Sequence, residues 1–171
     1  MLLATVLRHP RVFLRGLRAI LRVPSMSLRQ RGFWLFYLAE AMIVGRWMRE
    51  RRLSHLHVHF GGAVASVGML VSAAWQIPFS LTIHGPEELL HPELFHLREK
   101  LAQASFVLCI SDFCRTQLYQ LADPLSWSKF RVLRLGVDPV RLNPALRTAR
   151  PADAAGAVSY THLTLPTKRI V

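Results

Sequence analysis

The sequence predicts an α/β fold in which a partial Rossmann-like parallel sheet is preceded by basic amphipathic helices. Three observations support this prediction. From residue 55 onward, short segments that are apolar along their whole length alternate with helix-like segments, which is typical of a parallel sheet covered by helices on both faces. Arginines recur at helical spacing in the first thirty residues. Hydrophobic residues make up 51% of the chain and charged residues 19%, a balance that favours a folded domain over a disordered chain.

The first thirty residues contain a basic amphipathic helix, with Pro10 suited to its first turn. One interpretation is an interfacial helix, whose apolar side enters lipid while its arginines face the membrane head groups. The other is a surface helix that packs its apolar stripe on its own domain. The basic side carries Arg8, Arg11, Arg15, Arg18 and Arg22, and the apolar side carries Phe13, Leu14, Leu17, Ile20 and Leu21.

A second helix is expected to begin at Ser27, where Ser27 and Gln30 fit a capping box, and to extend to Arg52. The α/β part follows, and its apolar segments imply right-handed βαβ crossovers. Its predicted strands are residues 55–60, 79–83, 106–110 and 130–135, and its predicted helices are residues 63–75, 92–104 and 112–122. At 171 residues, the chain is long enough for one domain with a substantial core.

Charge divides the chain into regions. Residues 1–52 hold 11 of the 22 lysines and arginines against two acids, a local charge of +9 within a total of +12. This basic helical region predicts a polyanionic partner, either nucleic acid or an anionic membrane surface. Residues 53–146 form the predicted Rossmann-like domain. Residues 147–171 are predicted to be a tail that is disordered or artefactual.

The sequence also indicates a cytoplasmic location. Cys109 and Cys114 are too few for a disulfide framework and lack CxxC spacing, which favours reduced thiols. Arginines interrupt the region where a signal peptide would need its apolar segment. Residues 33–44 are apolar but short, and residues 61–79 are uncharged but rich in small residues, so we predict that neither spans a membrane.

A candidate site follows from the sheet topology, because ligands of open parallel sheets bind beyond the carboxyl ends of the strands. Gly85 and Pro86 predict a turn that would hold His84 at the edge of a crevice near two carboxylates, suited to orienting polyol hydroxyl groups. A helix-capping or core histidine is an equally good interpretation from spacing alone. The residues at or just after predicted strand ends are His59, Gly61, His84, Glu87, Ser111 and Gly136.

Neither a metal nor an organic cofactor is predicted. His55, His57 and His59 alternate along a strand and could share one face as metal ligands. However, no aspartate follows to complete a metallohydrolase pattern, and satisfied histidines are common in strands. A phosphate-binding glycine motif is also lacking, since Gly61-Gly62 only faintly resembles one.

Four segments carry a resemblance to a known family. They are "HLHVHFGG", "IPFSLTIHGPEELL", "FVLCISDFCRTQL" and "RLGVDPVRLNP", and each lies at a successive strand end. In order and spacing they resemble the N-terminal half of family 4 (group 1) glycosyltransferases of the GT-B fold, particularly those that build exopolysaccharide and lipopolysaccharide. The resemblance extends from about residue 10 to about residue 145.

The resemblance implies transfer of a sugar from a nucleotide-sugar to a glycan or lipid-linked acceptor, with retention and without a metal. It implies action in the cytoplasm at the inner membrane, and no nucleic-acid partner. His84 matches the residue that contacts the transferred sugar and is the expected catalytic group. A positively charged sugar transition state suits oriented dipoles and carboxylates. The implied substrate-binding residues are Gly61, Gly85, Glu87, Glu88, Ser111, Gly136 and Asp138.

The chain also departs from that family pattern. It begins after the family's first strand and glycine-rich loop, and it does not continue into the donor-binding domain. Its end, "AVSYTHLTLPTKRIV", resembles translated sequencing-adapter read-through. We therefore expect a fragment that is inactive alone. The alternative expectation is a basic membrane-surface or nucleic-acid-binding module without catalysis.

Overall fold

A computed structural model of the chain describes residues 2–24 and 26–136. The implied substrate-binding residue Asp138 and the tail at 147–171 lie outside the described residues. The chain up to Leu135 forms one compact unit. Within this unit the fold contains seven α-helices, one 3₁₀ helix and four strands among the described residues.

The elements follow one another in an alternating order after three initial helices. The helices are α1 (Leu2–Arg8), α2 (Pro10–Arg22), α3 (Leu28–Glu50), α4 (Ala63–Trp75), α5 (Pro86–Leu90), α6 (Leu97–Gln103) and α7 (Asp112–Leu121), with a 3₁₀ helix at Pro124–Lys129. The strands are β1 (Leu56–His59), β2 (Phe79–Ile83), β3 (Val107–Cys109) and β4 (Phe130–Val132).

The four strands form one parallel sheet in the order β1-β2-β3-β4. In its register, His59 of β1 pairs with Thr82 of β2, and Ile83 of β2 pairs with Cys109 of β3. The carboxyl ends of these three strands therefore meet at one edge of the sheet. The predicted fold class, a mixed α/β fold with a Rossmann-like parallel sheet, is confirmed.

Several element boundaries agree with the sequence. Helix α4 and strand β2 match the predicted ranges at both ends. The capping box is also confirmed, because Ser27 Oγ accepts from the Gln30 N–H at 3.2 Å and Gln30 Oε1 accepts from the Ser27 N–H at 2.8 Å. This reciprocal pair satisfies two N–H groups that have no partner inside the helix.

One predicted helix differs from the structure. The segment at 92–104 was expected to be a single helix, but α6 begins only at Leu97. The backbone of His96 is left-handed, with φ of 48°, and this conformation interrupts the helix before that point. Residues 92–96 form turns instead. Before them lies a separate short helix, α5, which begins at Pro86.

The core joins the N-terminal helices to the sheet. Helix α4 lies between them and contacts α2, α3, β1 and β2. Close approach depends on glycines: a Cβ at Gly16 would lie 2.3 Å from Leu38 Cδ1, and one at Gly68 would lie 2.8 Å from Val58 Cγ2. Helices α2 and α3 and the sheet therefore contribute to one hydrophobic core.

The structure does not divide α2 into one basic side and one apolar side, as the sequence suggested. The side formed by Val12, Gly16 and Ile20 is buried in the core. Leu14 and Leu21 are exposed, and the 100° rotation per residue places them on the same side as Arg11 and Arg18. Part of the predicted apolar side therefore packs on its own domain, while part stays at the surface next to arginines.

Replacing Gly45 by alanine is expected to lower the free energy of unfolding by about 1–3 kcal/mol, the usual cost of overpacking. A Cβ at this position would lie 2.1 Å from Trp75 Cδ1, and the Trp75 indole is held by its hydrogen bond to the Ala41 carbonyl at 3.2 Å. Urea denaturation of the variant measures the effect.

Gly32→Ala is the matched control, since Gly32 lies in the same helix with nothing within 4 Å of its added Cβ. Alanine should stabilise this exposed site by about 0.5–1 kcal/mol. Equal effects at the two glycines would contradict the proposed contact with Trp75.

None of the helices in the described part of the chain is long and apolar enough to cross a membrane. This includes both segments that the sequence presented as apolar, α3 and α4.

Candidate functional site at the carboxyl ends of the strands

The carboxyl ends of β1 and β2 bring two histidines together. His59 Nδ1 and His84 Nε2 are 2.8 Å apart, so the N–H of one ring donates a hydrogen bond to the unprotonated nitrogen of the other. This hydrogen bond orients the His84 ring and leaves its Nδ1 as the nitrogen that can face a ligand. His84 is half-buried and His59 is exposed, so the pair lies at an accessible edge and not beneath aliphatic side chains.

Phe60 forms one wall next to this pair. Its ring centroid lies 4.8 Å from that of His84, and its side chain is 54% exposed. Phe60 has a φ of 68°, a left-handed conformation that is uncommon for a bulky non-glycine residue. Such conformations persist where the surrounding structure enforces them, and they concentrate at functional sites.

The histidines of β1 form a row on one face of the sheet, as their alternation predicted. His55 Nε2 and His57 Nδ1 lie 2.8 and 2.7 Å from Ser80 Oγ, and His57 Nε2 lies 2.8 Å from Thr82 Oγ1. Burial, followed by the neighbouring His59, His55 and His84, holds the pKa of His57 below its ordinary value. Both ring nitrogens of His57 therefore contact hydroxyl groups, those of Ser80 and Thr82.

The residues that the structure describes contain no group of three or more histidine, cysteine, aspartate or glutamate side chains arranged to hold a metal ion.

A buried polar clamp holds the loop between β1 and α4. Glu88 Oε1 accepts from the Gly61 N–H at 2.5 Å, and Lys100 Nζ donates to the carbonyls of Gly61 at 2.6 Å and Gly62 at 2.8 Å. Glu88 is 6% exposed and Lys100 is 1% exposed. The Glu88 carboxyl and the Lys100 amine therefore bind the N–H and the carbonyl of Gly61 within the protein interior, directly after the strand that carries His59.

The clamp perturbs both ionisable groups. Burial raises the pKa of the Glu88 carboxyl, against the N–H groups of Gly61 and Gly85 and the Lys100 charge, which lower it. Burial lowers the pKa of the Lys100 ammonium to about 7, although Glu88 and Glu99 act in the opposite direction. A low dielectric environment disfavours the charged form of each group, and their mutual attraction only partly compensates.

Gly61 was predicted to bind substrate, and the structure shows how its backbone is used. Its N–H and carbonyl groups are both engaged by the clamp. A Cβ at this position would lie 3.0 Å from Leu97 Cδ1 and 3.3 Å from Ile83 Cδ1. Gly61 therefore serves the close packing of its loop.

The other predicted residues occupy different positions. Gly85 is the N-cap of α5, and Glu87 is exposed in the first turn of that helix. Ser111 caps α7 by accepting from the Cys114 N–H at 3.1 Å. Gly136 is exposed at the end of the described chain. Asp138, the last of the predicted substrate-binding residues, lies outside the described residues.

Sequence reasoning missed Lys100 entirely. Its position carried a signal, because Leu97, Leu101 and Ala104 are the buried residues of this segment and Lys100 falls on the same side at helical spacing. A lysine in an apolar stripe must find partners when the stripe is buried. The two glycine carbonyls are those partners.

The five predicted membrane-facing arginines also divide. Arg8, Arg11, Arg18 and Arg22 are exposed, whereas Arg15 is half-buried. Arg15 lines two neighbouring cavities in the helical layer, of 460 and 510 Å³.

Comparison with known families agrees with this architecture. The sequence model of Glycosyltransferase Family 4 matches residues 4–141, a range that includes the N-terminal helices, the whole sheet and the histidine pair. No curated protein and no solved structure matches the chain significantly. Because the family match covers most of the chain, the protein belongs to glycosyltransferase family 4 and carries a transferase domain of that family.

Proposed function

We propose that this chain is the acceptor-side half of a retaining glycosyltransferase that acts in exopolysaccharide or lipopolysaccharide synthesis. It would help to move a sugar from a nucleotide-sugar to a glycan or lipid-linked acceptor. The donor site would lie in a second domain outside this chain, so the chain alone would be inactive. Membership of the family and the position of the histidine pair at the strand ends support the proposal.

The observation that carries this function is the 2.8 Å contact between His59 Nδ1 and His84 Nε2. It holds the His84 ring in one orientation before substrate arrives, which is the condition for effective electrostatic catalysis. Glycosyl transfer develops positive charge on the sugar ring, and the proposed role of His84 Nδ1 is to position a sugar hydroxyl there. Glu87, exposed on the next helical turn, would orient a second hydroxyl.

We further propose that the domain attaches to the cytoplasmic face of the inner membrane through α1 and α2. Leu7, Leu14 and Leu21 recur every seven residues and are 71%, 48% and 59% exposed. Arg11 and Arg18 lie on the same outward side of α2. Leucines that enter the head-group region, with adjacent arginines bound to anionic lipids, fit an interfacial helix. Such attachment would place the site near a lipid-linked acceptor.

The alternative function is a basic module that binds membrane or nucleic acid without catalysis. The same exposed arginines favour it, because duplex DNA presents a dense row of phosphates. The exposed leucines favour lipid instead. Their side chains gain free energy by leaving water for the apolar part of a bilayer, and a phosphate backbone offers no such apolar surface.

Replacing both Leu14 and Leu21 by serine is expected to reduce binding to anionic vesicles at least about tenfold, because two leucine side chains no longer enter the bilayer. Vesicle sedimentation measures the loss. The paired variant Leu94→Ser and Leu125→Ser removes two leucines that are 66% and 93% exposed elsewhere and should bind as the native chain does.

A titration with duplex DNA at increasing salt separates the two functions. Tight, sequence-specific DNA binding would refute the transferase proposal. Equal loss of vesicle binding in both leucine pairs would refute attachment through α2.

A further inference from the structure

The helical layer contains a cavity lined by arginines from three helices. Its volume is 510 Å³, and Arg8, Arg15, Arg46 and Arg49 all line it. Glu50 is the one acidic residue among its lining residues, and it is engaged by Arg46 Nε at 2.6 Å. The cavity, called here the arginine cavity, thus carries a formal excess of three positive charges. Like charges that converge in a concave site create a strong local attraction for anions.

Arg15 shows that this cavity has unused donor capacity. Its side chain lies between the arginine cavity and the adjoining cavity of 460 Å³, which Arg18 and Arg22 also line. Its Nε is buried and finds no hydrogen-bond acceptor within the described part of the chain. A buried N–H group without an acceptor is costly, and buried polar groups in proteins are nearly always satisfied. An acceptor supplied by a ligand would remove that cost.

The neighbouring arginines are already positioned by the protein. Arg46 Nη1 donates to Thr5 Oγ1 at 3.2 Å, and Arg49 Nη2 donates to the Trp75 carbonyl at 3.0 Å. Arg46 is thus anchored through Nη1 and, by its bond to Glu50, also through Nε, and Arg49 is anchored through Nη2, while the charge remains at the cavity wall. A preorganised arrangement of this kind lowers the entropy cost of binding.

The arginine cavity lies far from the candidate sugar site along the fold. Helix α4 begins beside Gly61 at the carboxyl ends of the strands and returns the chain to the amino end of β2. Trp75, its last residue, lines the arginine cavity. The cavity is therefore at the opposite edge of the sheet from the histidine pair, so a ligand bound in it would not occupy the proposed sugar site.

We propose that the arginine cavity binds the phosphate group of a phosphate ester. Guanidinium groups match phosphate oxygens with paired hydrogen bonds, and three excess positive charges suit a phosphomonoester dianion better than a single carboxylate. The volume falls in the range of small-molecule sites, so the cavity has room for the organic part of the ester. The phosphate could come from a soluble metabolite or from a lipid head group at the membrane.

The test uses the complete chain with inorganic phosphate and glycerol 3-phosphate as probes in calorimetry. Arg15→Gln is expected to weaken binding of both at least about tenfold, the scale of one lost charge-assisted hydrogen bond. Arg29→Gln is the matched control, because it removes the same charge from an exposed position of α3 that lines neither cavity and lies outside the proposed membrane surface of α1 and α2. It should bind as the native chain does.

A second variant protects the test against misfolding of the first. Arg8→Gln changes an exposed residue that lines the cavity and should also weaken phosphate binding. Failure of the native chain to bind either probe would overturn the proposal. So would equal weakening by Arg29→Gln and Arg8→Gln, which would indicate attraction by net charge alone.

Vesicles distinguish the source of the phosphate. Phosphatidylcholine vesicles containing phosphatidic acid expose a phosphomonoester, whereas those containing phosphatidylserine at matched surface charge do not. Preference for phosphatidic acid that is lost in Arg15→Gln assigns a lipid head group. Calorimetric binding without that preference assigns a soluble ester. Neither result depends on glycosyl transfer, so failure of this site and failure of the proposed function remain separable.

Discussion

Replacing His84 by alanine is expected to lower kcat at least about 10²-fold in a full-length enzyme that contains this domain. That is the scale of losing one preorganised polar group at the reacting centre. The His84 ring is oriented by His59 at 2.8 Å and contacts Phe60, so its removal leaves the strand ends without their positioned imidazole. Release of a nucleoside diphosphate from a nucleotide-sugar, with an extract of membrane lipids as acceptor, measures the rate.

His55→Ala is the matched control for this variant. His55 lies on the same histidine row but at its other end, where its ring contacts Ser80 and Phe106. This change removes one imidazole from the row but should leave kcat unchanged. Near-normal turnover of His84→Ala, or equal losses in the two variants, would show that His84 does not act at the reacting centre.

Replacing Lys100 by methionine is expected to lower the free energy of unfolding by about 3 kcal/mol, the scale for removing one partner from a buried charged pair. Methionine fills much of the same volume but cannot donate to the carbonyls of Gly61 and Gly62, which Lys100 binds at 2.6 and 2.8 Å. It also leaves the buried Glu88 without its neighbouring charge. Urea denaturation at pH 6, below the folded pKa of about 7 and therefore where Lys100 is charged, measures the loss.

Lys129→Met is the matched control. Lys129 Nζ also donates to two carbonyls, those of Ala102 at 3.0 Å and Ala104 at 3.2 Å, but its side chain is only half-buried. Water can replace these bonds, so the loss should be about 1 kcal/mol or less. A similar loss of unfolding free energy in both variants would mean that the deeper burial of Lys100 does not increase its contribution to stability.

The stability of the native chain should also depend on pH through Lys100. Its pKa falls from 10.5 to about 7 on folding. Between these values the unfolded chain holds a proton that the folded chain lacks, so the free energy of unfolding rises with pH across that window. The difference in stability between the native chain and Lys100→Met should therefore widen above pH 7. A difference that stays constant from pH 7 to about pH 10 would mean that Lys100 stays protonated in the fold.

Much of the fold followed from local patterns. The alternation of wholly apolar segments with helical ones predicted the parallel sheet, and the spacing of Ser27 and Gln30 predicted the start of α3. These features depend on periodicity and on hydrogen bonds between residues a few positions apart, which a sequence displays directly. The break before Leu97 was missed, because the left-handed backbone of His96 is not a property of the residue type alone.

The candidate site was predictable only in part. The topology rule for parallel sheets placed His59 and His84 at one edge, where the structure has them 2.8 Å apart. It could not show that Glu88 is buried and bound to Gly61, or that His59 is the hydrogen-bond partner of His84. Those pairs are separated by 27 and 25 residues, respectively, and their distances depend on how the intervening helices pack.

The sequence by itself determined that this chain builds a helix-covered parallel sheet with a histidine at a strand end. The periodicity of apolar residues, and the place of a residue directly after a strand, can both be read from the order of the residues. Only the tertiary structure decided which polar groups meet. Lys100 reaches a loop 39 residues away, and arginines from three helices surround one cavity. Burial and distance between remote segments arise from packing, and packing sets both the pKa of a lysine and the charge of a cavity.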